Sequence, residues 1–232
     1  MFKIIIRGWC CKDYLDRCVS SLYKQTEQDW HAVMVIDPSG DGTETKALGF
    51  QSDKISVLIN DKRLGLTHNI VKGVSCGSLP GQIIGILDAD DWLYPTALAT
   101  VRELYRRKEC LITYGSFILD ETGEKSRICK PYPDHANVRT HKWRATHFKT
   151  FKYEVFSKIP EHYFLHNGIY IPCASDLALM IPMIECAGIE RSAFCKYPIY
   201  HYRNHTPFSV DRKQQKKWEG IVRAKKPMKR RF

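Results

Sequence analysis

The stretch Gln82-Ile83-Ile84-Gly85-Ile86-Leu87-Asp88-Ala89-Asp90-Asp91-Trp92-Leu93-Tyr94-Pro95 decides how the rest of the chain is read. Gln82 to Leu87 is a short, almost unbroken apolar run, the pattern of a strand buried on both faces. Three carboxylates within four positions end it, and Pro95 then opens a helix expected to reach about Lys108. Carboxylates this close repel one another, so their ionisation is costly unless a cation compensates. Asp88 and Asp90 alternate and can aim hard oxygen ligands at one point, which suits Mg²⁺ or Mn²⁺ holding a diphosphate. The alternative is a strand-end turn whose acids cap the next helix.

Upstream, the pattern predicts a strand over Lys3 to Arg7, then an amphipathic helix over Asp13 to Lys24 with Leu15, Cys18, Val19 and Leu22 on one face. A strand over His31 to Ile36 ends in the turn cluster Asp37 to Thr43. A short helix near Thr45 to Phe50, a strand at Ile55 to Ile59 and a helix at Leu66 to Val74 complete the order βαβαβαβ. Such alternation implies an α/β fold with a mostly parallel sheet, helices on both faces and right-handed crossovers. Ligands of such sheets bind beyond the carboxyl ends of the strands. Polar or small groups follow each one here: Gly8-Trp9, Asp37, Asp61-Lys62-Arg63, and Asp88 to Asp91.

Downstream, Leu111 to Leu119 reads as a strand that turns at Asp120 to Gly123 and returns to Cys129 as a hairpin. Residues 131–170 read as loops around one helix near Thr150 to Lys158; Asp176 to Ala187 is helical in pattern despite Pro182, and Tyr197 to Tyr202 is strand-like. Residues 1–211 form one domain in this reading, with a ligand-binding half over 1–108 and a second half over 109–211.

The chain has 232 residues, 44% hydrophobic and 26% charged, which excludes a disordered polymer. Its apolar runs are far too short to cross a bilayer, and the N-terminus lacks a signal-peptide pattern. Nine cysteines without a CxxC pair or zinc spacing fit a reduced, soluble, cytoplasmic chain. The net charge of +11 is unevenly placed: Arg212 to Phe232 hold ten Lys and Arg against Glu219, leaving residues 1–211 with 26 basic and 24 acidic groups. The body is close to neutral, so 212–232 is read as a basic tail or linker, suited to peripheral contact with an anionic membrane surface, and the body offers no specific nucleic-acid pattern.

Four blocks in order carry a family resemblance: Ile4 to Cys18, Val35-Ile-Asp-Pro-Ser-Gly-Asp-Gly-Thr43, Arg63-Leu-Gly-Leu-Thr-His-Asn69, and Leu87-Asp-Ala-Asp-Asp-Trp-Leu-Tyr-Pro95. Together they resemble the GT-A glycosyltransferases of family 2, nucleotide-sugar-dependent inverting enzymes. The resemblance implies a Rossmann-like GT-A sheet with a smaller antiparallel hairpin on the acceptor side, a UDP-sugar donor, a glycan or glycoprotein acceptor, and Mn²⁺ or Mg²⁺. It implies donor contacts from Gly8, Trp9, Asp37, Arg63 and Asp88, metal ligation by Asp88 and Asp90, and Asp176 as the base. His205 falls where a late polar residue approaches the diphosphate or metal. The segments Trp143 to Phe151, Ser175 to Glu185 and Tyr200 to His205 look like acceptor-side segments of a subgroup that builds surface glycans in bacteria and large DNA viruses. The chain departs from the family at Arg7-Gly8-Trp9-Cys10, where Pro-Thr-Tyr-Asn is usual, and at Pro38, where a second Asp is usual.

The chemistry can be stated without the name. Breaking a sugar–diphosphate bond places negative charge on the leaving oxygen, which a divalent ion and cations such as Arg63, His147, Lys149 or His205 would stabilise. A carboxylate on the opposite face, Asp176, would take the acceptor hydroxyl proton. Two alternatives remain open at this level: a nucleotidyltransferase using the same acids, and a non-catalytic module binding nucleic acid or a sugar nucleotide. The aromatic and His-rich stretch Tyr132 to Tyr170 is the expected acceptor region.

Overall fold

The computed structural model describes residues 1–120, 122–126, 129–203 and 211–232. β1 (Phe2–Gly8) lies in the interior of its sheet, and all seven of its residues are buried, as a strand covered on both faces requires. β2 (Trp30–Ile36) and β4 (Ile83–Asp88) flank it in parallel, and β3 (Ile55–Ile59) extends the sheet beyond β2. The register sets Gly8 beside Ile36 and Arg7 beside Asp88, so the carboxyl ends of three strands finish level.

The crossovers are α1 (Leu15–Tyr23), α2 (Thr43–Leu48) and α3 (Leu66–Ser75). Strand alternation divides the core in two. Ile4 and Ile6 pack with Leu15 and Leu22 of α1, whereas Ile5 packs with Ile70 and Val74 of α3. Each of these fully buried side chains contributes about 1.5–3 kcal/mol of transfer free energy.

The second half of the chain adds β5 (Trp92–Leu93), α4 (Ala97–Lys108), β6 (Ile112–Leu119), β7 (Lys149–Lys152), α5 (Tyr153–Phe156), β8 (Leu165–His166), β9 (Ile169–Tyr170), α6 (Ser175–Ala187), β10 (Ser192–Tyr202) and α7 (Arg212–Ala224). The main sheet runs β3-β2-β1-β4-β7-β6-β10-β5, with β7 antiparallel to both neighbours and β10 parallel to β6. β8 and β9 form a separate antiparallel hairpin. The predicted architecture is therefore present: a mostly parallel α/β sheet covered on both faces, with a small hairpin beside it.

Two local expectations fail. The helix expected over Thr150 to Lys158 is a strand, β7, followed by one turn of helix. Phe151 and Thr150 are buried between β4 and β6, and this non-local pairing overrides the local pattern. The strand returning to Cys129 is, among the described residues, only a short turn-back, with Leu119 N bonded to Glu124 O and Ser126 N to Phe117 O at 2.9 Å around an Ile118–Lys125 bridge; β6 finds its long pairings in β7 and β10.

The basic segment after residue 211 begins with Asp211 capping α7 through Lys213 N–H. Val222 and Met228 are buried, and Arg139 ties the helix down. Its guanidinium meets Glu185 of α6 at 2.7 Å and donates to the Val222 carbonyl at 2.6 Å.

Gly85 permits the closest approach in this sheet. A Cβ there would lie 2.6 Å from Phe148 and 3.0 Å from Ile4. Gly85→Ala is expected to lower stability by about 1–3 kcal/mol through overpacking, read as a lower urea midpoint with an unchanged m-value.

Candidate functional site

The carboxyl ends of β1, β2, β3 and β4 and the first turn of α6 converge on one end of the sheet. At its centre is Arg7, whose side chain is 3% exposed. The β1–β4 register sets it beside Asp88, and its Nε and Nη2 bond both carboxylate oxygens, the latter at 3.1 Å. Its Nη1 donates to Ser175 Oγ at 2.8 Å, and Nη2 lies 3.7 Å from Asp176. One buried cation thus ties β1 and β4 to the start of α6.

Ala174 precedes α6 with φ of 56°, a left-handed turn that swings Ser175 and Asp176 into the cluster. Asp176 meets a second buried cation, Lys149 of β7, at 2.9 Å. Lys149 Nζ also lies 3.2 Å from His147 Nδ1. Burial alone would raise Asp176, but the Lys149 and Arg7 cations override it and hold the carboxyl below its usual range. A quarter of the Asp176 side chain stays exposed, so the anion is available to a ligand. Burial, then Lys149, pushes His147 down to about 3, leaving a neutral imidazole at neutral pH.

The three acids after β4 have different surroundings. Asp88 is partly buried, which alone would raise it, but Arg7 holds it below its usual range. Asp91 points inward, accepting from Tyr200 Oη at 2.6 Å and from Arg203 N–H at 2.8 Å. Asp90 has Arg203 3.8 Å away as its ion-pair partner, and burial followed by the charge of Asp88 pushes its carboxyl up to about 6. Asp88, Asp91 and His147 each place one ligand atom within 4.8 Å of the others. A divalent cation fits this donor set of two carboxylates and a neutral imidazole, which takes in Asp91 and His147 beside Asp88 and not the expected Asp90.

The other predicted residues form a rim. Gly8 leaves no room for a side chain, since a Cβ would lie 2.8 Å from both Cys11 and Ile36. Asp37 is buried with both oxygens taken: Oδ1 accepts from Asn60 Nδ2 at 2.8 Å and Leu64 N at 3.1 Å, Oδ2 from Gly65 N at 2.8 Å. It acts on the 61–65 loop. That loop presents Arg63, whose guanidinium stacks 3.4 Å over the Trp9 ring. Arg7 links Asp88 to Asp176, Asp90 lies by Arg203 outside the donor group, Arg63 and Trp9 stack against each other, and Asp37 turns toward the 61–65 loop. His205 lies outside the described residues.

Arg7 and Tyr200 were not among the expected site residues. A signal for Arg7 existed: a charged residue closing an apolar run on an interior strand requires a buried carboxylate partner.

Comparison with known proteins follows from this geometry. The model of glycosyl transferase family 2 matches residues 4–165. The chain is 24% identical over 117 residues to an Escherichia coli UDP-Glc:α-D-GlcNAc-diphosphoundecaprenol β-1,3-glucosyltransferase, covering 50% of this chain and 46% of that protein. Among solved structures, S. aureus TarS 1–349 in complex with UDP-GlcNAc superposes with a TM-score of 0.70 at 15% identity, covering 95% of this chain and 65% of that one. The mannosyltransferase PcManGT from Pyrobaculum calidifontis, in complex with GDP-Man and Mn²⁺, gives 0.61 at 16% identity, covering 89% and 58%. The chain spans less than two thirds of each of these proteins.

The raised Asp90 has a pH signature. The folded chain holds its proton up to about pH 6, whereas an unfolded chain releases it near the ordinary 3.8, so the fold binds more protons in that window and loses stability as pH climbs through it. Asp90→Asn is expected to be more stable than wild type at pH 7, by about 1–3 kcal/mol without divalent ions, and equal to it near pH 3. Thermal melts at the two pH values check this.

Proposed function

The chain belongs to glycosyl transferase family 2, and we propose that it moves a sugar from a UDP-sugar to a hydroxyl of a glycan or glycoprotein acceptor, with inversion and with the help of a divalent metal. The observation that carries this reading is the ionised, partly open Asp176 held beside Asp88 by Arg7 and Lys149. A UDP donor is supported by what the Escherichia coli relative is named for and by the UDP-GlcNAc complex of TarS. Mn²⁺ in the PcManGT complex supports the metal.

In this reading Arg63 and Trp9 at the rim take the nucleotide end of the donor, as a cation and a flat ring suit a base and its phosphates. Asp88 and Asp90 would hold the metal, and Asp91 and His147, which share a donor group with Asp88, would be further candidate ligands. A divalent ion bound there would supply positive charge to stabilise the leaving diphosphate. Asp176 accepts the proton of the acceptor hydroxyl while the new C1–O bond forms and the old C1–O bond to the diphosphate breaks. The leaving diphosphate keeps the bonding electron pair. The cations that keep Asp176 ionised also make it a weak base, so it takes the proton late, once the hydroxyl oxygen has begun to bond.

Asp176→Asn is expected to bind UDP as wild type does and to lower kcat for sugar transfer by about 10²-fold or more, with KM for the donor little changed. Transfer at the wild-type rate by this variant would remove Asp176 as the base. Absence of transfer by the wild type across a panel of UDP-sugars and glycan acceptors would count against the activity itself.

A further inference from the structure

Outside the cleft, the charge of the C-terminal segment is sorted by α7. Val222 is buried, and Trp218, one turn earlier, meets the His166 ring edge-on at 5.8 Å, so this stripe faces the body. Lys225 donates to the carbonyls of His162, at 3.0 Å, and Leu165. Arg212, Lys213, Lys216 and Lys217 are exposed on the rest of the helix, and among the described residues none of the four forms an ion pair. The helix therefore presents four solvated cations on a face opposed to its packed stripe.

The same helix lies along the β8–β9 hairpin. The turn of that hairpin, Asn167 with φ of 50° and Gly168 with φ of 79°, projects Ile169, a large apolar side chain left 57% exposed. The hairpin continues to the cleft rim: Tyr170 packs edge-on against His68 at 4.9 Å, and Thr67 Oγ1 donates to the Ile171 carbonyl at 2.6 Å, in the first turn of α3 just after the Arg63 loop. An exposed apolar tip and a helix with a cationic outer face thus belong to neighbouring elements, α7 being packed on β8, near the opening.

We propose that these two neighbouring elements dock the protein on an anionic phospholipid bilayer, with α7 supplying the charge and Ile169 the apolar contact with the headgroup layer. Clustered Lys and Arg on one helix face, beside an apolar contact, have the composition of an interfacial anchor. A single-stranded nucleic-acid partner would ask for aromatic faces set among the cations, and Trp218, the aromatic residue of α7, is turned inward. That the acceptor is presented at this bilayer rests on the transfer reading above; the docking does not.

The test is co-sedimentation of the full chain with phosphatidylcholine vesicles, with and without about 30 mol% phosphatidylglycerol, at low salt and at about 0.5 M NaCl. Wild type is expected to pellet with the anionic vesicles and to be released by salt. The triple variant Lys213→Glu, Lys216→Glu, Lys217→Glu should lose about tenfold or more of this binding, and Ile169→Ser several-fold, both with the wild-type melting temperature. Wild type that ignores anionic vesicles, binds neutral ones equally well, or keeps its binding in the triple variant overturns the proposal. So does an RNA oligonucleotide held through the same three lysines under conditions where vesicles are not. A UDP titration on the same samples separates the two readings: vesicle binding without UDP binding leaves the surface standing and removes the donor site.

Discussion

The carboxyl end of the sheet and the first turn of α6 bring together four carboxylates, Asp91 fully buried and Asp88, Asp90 and Asp176 only 19–25% exposed. Isolated charges in such a place cost several kcal/mol each, so the arrangement stands on the two buried cations that enter it, Arg7 and Lys149. Arg7 arrives because the β1–β4 register sets it opposite Asp88, and Lys149 because β7 inserts between β4 and β6. Removing Arg7 would strip Asp88 of its bidentate partner, a loss of up to about 3–5 kcal/mol by the usual magnitude for a broken buried pair, whereas without Lys149 Asp176 would keep Arg7. Architecture and electrostatics are therefore one constraint: the strand order that closes the sheet also delivers the charges that make its end tolerable.

The balance is uneven, and the imbalance is where chemistry can occur. Asp88 and Asp176 are held ionised by their cations, Asp91 is pulled inward by Tyr200 and Arg203, and Asp90 is left short of positive charge. A site that holds one acid half-satisfied sacrifices stability and gains affinity for an added cation. The surrounding turns keep this geometry: Gly8 admits no Cβ, Asp37 fastens the loop that carries Arg63, and Ala174 accepts a left-handed conformation so that Asp176 faces the others.

The first four strands were legible in the sequence because each is a short apolar run closed by a turn, and such local patterns survive whatever the tertiary context. The acidic run after β4 was legible for the same reason, but not that Asp91 and His147, and not Asp90, share a donor group with Asp88. β7 was not, because Lys149-Thr-Phe-Lys152 becomes a strand only through partners more than thirty residues away in sequence, in β4 and β6. Asp37 was placed correctly at a strand end, but which way its carboxylate turns depends on Asn60 and the backbone of Leu64 and Gly65, which no motif encodes. Arg7 looked like a departure from a family pattern; its meaning appears once Asp88 is seen beside it in the register. The basic segment showed its charge but not its docking, since the contact of Arg139 with Glu185 and the Val222 carbonyl joins three distant parts of the chain.

The central claim is that the acids at the end of β4 are completed by a divalent cation together with a nucleoside diphosphate. Calorimetric titration of the wild-type chain with UDP, GDP, CMP and TDP, each with and without Mn²⁺, tests it most directly. The account predicts that UDP binds with Mn²⁺ and at least about tenfold more weakly without it. Equal affinity with and without the ion, or no binding by any nucleotide under either condition, would contradict it.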